Sequence, residues 1–156
     1  MPTRNTKEGD FIKANFASIW PVHLAGFTRL LAQLRRHLDG DLDMLLIMAV
    51  IGDRTRPDRW SPELSTYRQL TRDSDEPHHQ HPINIQSVAD YSGIPRETVR
   101  RKIRVLEEKG WITRDAQGHL AISASAAPDL AEATGDSIAY LARILIAFEE
   151  ARKPGD

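Results

Sequence analysis

The chain has 156 residues, 40% hydrophobic and 28% charged, which suits a globular protein of one domain, or a small core with dimerisation appendages, and excludes a disordered one. It contains no cysteine, so disulfide frameworks, cysteine-based zinc sites, iron–sulfur clusters and thiol nucleophiles are ruled out. Its 21 basic and 22 acidic residues leave a net charge of −1, which argues against indiscriminate binding of polyanions.

In chain order, the opening MPTRNTKEGD lacks the apolar core of a signal peptide, and a cytoplasmic protein is expected. Residues 10–20 read as a short amphipathic segment marked by Phe11, Asn15 and Ile19, which Pro21 should end or kink because it lacks an amide proton. From Val22 to Leu38 the positions Leu24, Phe27, Leu31, Leu34 and Leu38 recur every three or four residues, the pattern of one helix face. A second helix, about Asp41 to Gly52, is apolar nearly all round and is expected in the core. Its apolar run Met44 to Ile51 is far short of the ~18 residues of a membrane span, and no membrane partner is expected. Residues 10–52 therefore read as N-terminal helices for the core or for dimerisation.

Residues 53–82 change character, with Pro57, Pro62, Pro77 and Pro82 among mixed charges. Ser61-Pro62-Glu63 predicts a short helix from Pro62 to about Leu70, and Thr71 to Pro82 reads as a mobile surface loop. That loop holds His78, His79 and His81, which invite a metal reading with Asp73, Asp75 and Glu76 nearby. Adjacent histidines in a loop rarely converge on one ion, and a solvated loop is the default. No metal or other cofactor is expected.

The block 83–123 carries the most information. Asn84 can cap a helix to Ser92, and Gly93 can supply a left-handed turn that Ile94 plugs. Pro95 then opens a helix over about Arg96 to Lys109 with Val99, Ile103 and Leu106 facing inward, and Gly110 ends it. Trp111 to Thr113 and His119 to Ile122 read as two short strands joined around Asp115-Ala116-Gln117-Gly118. Residues 94–114 hold seven basic groups against three acidic ones, whereas 115–156 hold three against seven. The near-neutral total thus conceals one compact basic segment, which needs a local reason. Residues 123–135 read as a connection, and a last helix is expected from Asp136 as N-cap to about Lys153 with the stripe Ile138, Leu141, Leu145 and Phe148.

The run Val88-Ala89-Asp90-Tyr91-Ser92-Gly93-Ile94-Pro95, then Arg96-Glu97-Thr98-Val99-Arg100-Arg101-Lys102-Ile103, then Leu106-Glu107-Glu108-Lys109-Gly110-Trp111-Ile112 resembles the winged helix-turn-helix family. The resemblance covers about a quarter of the chain. The plan of helices before and a long helix after is similar to MarR-like regulators, which dimerise through their terminal helices. The fold class it implies is mainly α with a small β-hairpin wing, the winged helix-turn-helix being flanked by dimerisation helices at 10–52 and 136–153. The function it implies is a transcription regulator that binds double-stranded DNA.

Helical geometry bears on this independently of the resemblance. With Val99, Ile103 and Leu106 inward, Arg96, Glu97, Arg100, Arg101 and Arg104 share the outer arc, which suits the major groove. Thr98 lies near the positive helix end, where phosphate binds. Arg114, Gln117 and His119 would lie on the wing, where, as the resemblance implies, similar proteins touch the minor groove or the backbone. Pro95 stands where similar proteins carry Ser or Thr, which removes a hydroxyl and an amide that could hold phosphate. Glu97 can accept from cytosine N4 or pair with Arg100 or Arg101. An ordinary solvated helix face is the plain alternative, and a protein-interaction module or adaptor working on an acidic partner is the functional one.

No Gly-rich phosphate loop, nucleophile elbow or His-Glu zinc helix is present, and no enzymatic activity is expected. Asp39, Asp41 and Asp43 suit a helix start better than catalysis. The leucine stripes can pack within the chain or against a second copy, and a homodimer is expected because one small winged module reads too few base pairs. Trp20, Trp60 and Tyr67 could line a pocket for a small-molecule effector, or pack as core; no ligand is named.

Overall fold

The computed structural model describes residues 6–54 and 83–155. The expected helix at Pro62 to Leu70, the histidines at 78, 79 and 81, and Trp60 and Tyr67 lie outside them. The described residues are mainly helical with one small antiparallel sheet. They form two compact units, one from residues 6–37 with 132–155 and one from 38–54 with 83–131. The expected N-terminal block 10–52 is therefore divided after His37.

The first unit holds α1 (Lys7–Ala14), α2 (Phe16–His37) and nearly all of a long C-terminal helix (Ala131–Arg152). The break falls at Asn15 and not at Pro21. Asn15 ends α1, its side-chain amide donating to the Phe11 carbonyl at 2.9 Å, and its own carbonyl accepts from Ser18 and Ile19 to start α2. Pro21 lies inside α2. Both Pro21 and Ala17, whose carbonyl loses its helical donor, are exposed, so water can replace the missing bond.

In the second unit Asp39 (φ 55) and Gly40 (φ 83) make a left-handed turn into α3 (Leu42–Asp53), where the Asp41 carboxylate caps the Met44 amide at 2.9 Å. Met44, Ile47, Met48, Val50 and Ile51 are buried, but Leu42 and Leu46 are exposed, so α3 keeps an outward face that its composition does not announce. Next comes α4 (Ile85–Ser92), capped by Asn84 onto the Ser87 amide. Gly93 at φ 74 closes it, in the left-handed region where a side chain is strained. The second helix of this pair, α5 (Arg96–Glu108), follows directly, with the Pro95 carbonyl taking the Val99 amide. It ends in a Schellman pattern: Gly110 (φ 76) donates to Glu107 and Trp111 donates to Leu106.

The strands β1 (Ile112–Arg114) and β2 (Leu120–Ile122) pair with Ile112 opposite Ile122 and Arg114 opposite Leu120. Trp111 and His119 fall just outside them. Ile83 adds an isolated bridge to Leu120, its carbonyl accepting from the Leu120 amide at 2.7 Å, which ties the chain before α4 to the hairpin. Residues 123–135 are more than a connection. They hold the short α6 (Ala126–Asp129) and the start of the long helix, α7 (Ala131–Arg152). One core joins α3, α4, α5, the hairpin and Ala126, with Ile47, Ile51, Val88, Val99, Ile103 and Leu106 fully buried.

Asp136 is consequently an interior residue of α7 and not its cap. Its carboxylate accepts from Gln33 Nε2 and lies within 3.1 Å of His37 Nε2. Higher along the same seam His23 Nδ1 and the Tyr140 hydroxyl are 2.7 Å apart, and Gly26 leaves the space that the Tyr140 ring fills. These contacts make α2 and α7 antiparallel. Among the described residues of this unit, only Ile19, Gly26, Leu30 and Ala147 are buried. Leu24, Phe27, Ile138, Leu141 and Leu145, for which packing within the chain or against a second copy stood open, are exposed, and Leu38 belongs to the other core. Small and polar residues join the buried Ile19 and Leu30 in holding this unit, and the exposed apolar stripes of the two helices lie to one side.

Candidate nucleic-acid interface

Three residues with no exposure, Val99, Ile103 and Leu106, fix the roll of α5 about its axis. Arg96, Glu97, Arg100, Arg101 and Arg104 are all exposed as a result, and Thr98 is half-buried beside Val99. The helical step of ~100° brings the five onto one arc along the outside of α5.

Their electrostatic states differ. Arg100 Nη2 donates to Glu97 Oε2 at 2.7 Å. Arg114 does not extend freely from the hairpin: its Nε and Nη2 grip the Glu107 carboxylate at 2.9 and 3.2 Å, folding it back onto α5. His119 sits 3.1 Å from Asp115, whose carboxylate also accepts the Gln117 and His119 amides and so shapes the hairpin loop. The His119 amide does most to hold the Asp115 carboxyl below its usual value, helped by the Gln117 amide and the His119 ring. Gln117 is exposed at the loop tip.

Two further cations of the basic segment have structural work that the residue pattern did not reveal. Lys102 is turned off the exposed arc onto Asp41, joining α5 to the start of α3. Burial alone would raise the Asp41 carboxyl, but Lys102 and the Met44 amide outweigh it and hold the group low. Lys109 lies 5.0 Å over the Trp111 ring and 3.5 Å from Asp39, while the Trp111 indole donates to Asp129 at 2.8 Å. The one advance signal for Lys102 was its place on the helical wheel, outside the arc of the arginines. Arg100, Lys102, Lys109 and Arg114 are thus paired with carboxylates. Among the described residues, Arg96, Arg101 and Arg104 have no such partner.

A cleft of about 750 Å³ opens between α3 and α4, lined by Leu46, Ala49, Val50, Ile83, Ser87 and Tyr91 among others. Trp20, for which pocket lining and core packing stood as equal alternatives, is exposed on α2 and stacks on Phe16 with ring centres 5.1 Å apart. Among the described residues no cluster of three or more potential metal ligands occurs, and no helix is long and apolar enough to cross a membrane. No family model matches the chain, and no curated protein or solved structure matches it.

Proposed function

We propose that the protein is a winged helix-turn-helix regulator that binds double-stranded DNA as a homodimer. The observation that carries this reading is the outer arc of α5. It presents Arg96, Arg101 and Arg104 with no carboxylate partner among the described residues, on a helix rolled into place by a fully buried inner face. The order α4, left-handed Gly93, α5 and hairpin supports it, because that arrangement lets one convex helix enter a major groove while the hairpin lies alongside. Arg96, Glu97, Arg100, Arg101 and Arg104 make the groove contacts, Thr98 and the first amides of α5 meet a phosphate, and Gln117 and His119 reach the flank, which Arg114 joins only when it leaves Glu107. No enzymatic step is part of this function.

The homodimer is supported by the first unit. On α2 the exposed stripe Trp20, Leu24 and Phe27 lies roughly 100° around the helix from the seam, and on α7 Ile138, Leu141 and Leu145 lie roughly 150° from Asp136, Tyr140 and Ala147 in the same rotational sense. In an antiparallel pair, displacements of the same sense turn both stripes to the same side of the seam. A broad apolar face of this kind marks an interaction surface, and a second copy carries the same face, so a two-fold pairing satisfies both.

The test is a duplex-binding titration across salt concentrations for the full chain and for the Arg101→Ala/Arg104→Ala variant. Wild type should lose affinity steeply as salt rises, and the variant should bind more weakly with a slope smaller by up to about 2. Equal affinity and slope in the two proteins would remove the proposal, and binding to an acidic protein but to no duplex would favour the adaptor reading.

A further inference from the structure

We infer that Glu97 and Arg100 act as one reading unit that selects a G·C base pair, an inference that rests on the duplex-binding reading above. Glu97 is the second residue of α5 and Arg100 the fifth, so both lie at the end of the helix that meets base edges in helix-turn-helix docking. Their side chains are 72% and 52% exposed, and Arg100 Nη2 holds Glu97 Oε2 at 2.7 Å.

This pairing leaves Glu97 Oε1 as a free acceptor and the remaining guanidinium N–H groups of Arg100 as free donors. A carboxylate on an arc of arginines is repelled by phosphate, and in a groove only an exocyclic base amine can satisfy it: cytosine N4 or adenine N6. Arg100 discriminates between these two. Its donors match the adjacent O6 and N7 acceptors of guanine, whereas an A·T pair places its amine between two separated acceptors. Acceptor and donors held side by side therefore complement the major-groove edge of a G·C pair.

The bond between the two side chains also orients both before contact. An arginine that must otherwise be ordered on binding loses less rotamer freedom when a neighbour already fixes it. The bland role of Glu97 is separate: an acid in the first turn stabilises the helix dipole, which affects melting and not base preference.

The experiment is selection of ligands from a random-sequence duplex pool by the full-length wild type, Glu97→Ala and Glu97→Gln, with thermal melting of each protein as a control. Wild type should fix a G·C pair at one position of each half-site. Glu97→Ala should relax that position alone, by roughly tenfold or more, while its affinity for unrelated duplex holds or rises. Glu97→Gln, uncharged and nearly isosteric, should shift the same position towards A·T, because an amide pairs with adenine. Identical selected sequences for wild type and Glu97→Ala would overturn the inference and leave duplex binding standing. A wild-type pool with no enrichment would overturn duplex binding and this inference together.

Discussion

Asp41 performs two functions at the start of α3, and they can be separated by substitution. Its carboxylate caps the Met44 amide and holds Lys102 of α5. Asp41→Ala removes both and should lower stability by about 1–2 kcal/mol, whereas Asp41→Asn keeps a good cap and should cost less. The charge component depends on pH in a definite direction. The Asp41 carboxyl is held below its ordinary 3.8, so its contribution is complete above that value and is lost as pH falls through the lower folded value. The stability gap between wild type and Asp41→Asn, measured by denaturant titration, should be constant near neutrality and narrow below about pH 4. Glu107 poses the complementary question. Because it grips Arg114 with two bonds, Glu107→Ala should cost little stability, at most about 1 kcal/mol for an exposed pair. It should also free Arg114 for phosphate, raising duplex affinity and steepening the salt slope by up to about 1. An unchanged slope would show that Arg114 does not reach the duplex even when released.

At the scale of elements, the α4–α5 pair rests on one backbone position. Gly93 has φ 74, and no atom lies within 4 Å of where a Cβ would stand. Gly93→Ala should therefore destabilise by about 1–2 kcal/mol from conformation alone, with Gly93→Asn recovering part of the loss, as thermal melting would report. The same locality explains why this block was legible in the sequence. Asn84, Gly93 and Gly110 each act within a few residues, and the spacing of Val99, Ile103 and Leu106 is satisfied inside one helix. The roll of α5, and with it the exposed arc, follows from those signals. Pro21 did not end its helix because the Ala17 carbonyl it leaves without a donor is exposed to water, and the break is decided instead by Asn15. The stripes of α2 and α7 left their packing open for a different reason. Periodicity identifies an apolar face but not its partner, and the seam itself runs through His23, Gln33, His37, Asp136 and Tyr140, residues that read as surface. The pairings of Arg100, Lys102, Lys109 and Arg114 were equally illegible, since three of the four depend on carboxylates brought close only by folding.

At the scale of the whole molecule, charge and apolar surface bear on the same question. The net charge of −1 gives little general attraction for a polyanion, and four of the seven cations in the basic segment are paired. Three arginines on one helix, without carboxylate partners among the described residues, provide too few contacts for tight, selective duplex binding by a single copy. In the proposed dimer two copies would double the phosphate contacts and read two half-sites, with the apolar face of α2 and α7 as the surface that brings them together. The face can be broken without touching α5. Leu141 and Leu145 are exposed and one turn apart on α7, so Leu141→Glu/Leu145→Glu places two charges in the proposed interface while sparing the seam residues Tyr140 and Ala147. Light scattering should give wild type at twice the 17.6 kDa of one chain and the variant at that single mass, with unchanged helicity by circular dichroism. The variant should also lose affinity for a two-half-site duplex far more than for an isolated half-site, because only the dimer couples the two contacts. Retention of the dimer by this variant would move the interface elsewhere on the molecule, and a monomeric wild type would remove the palindromic reading.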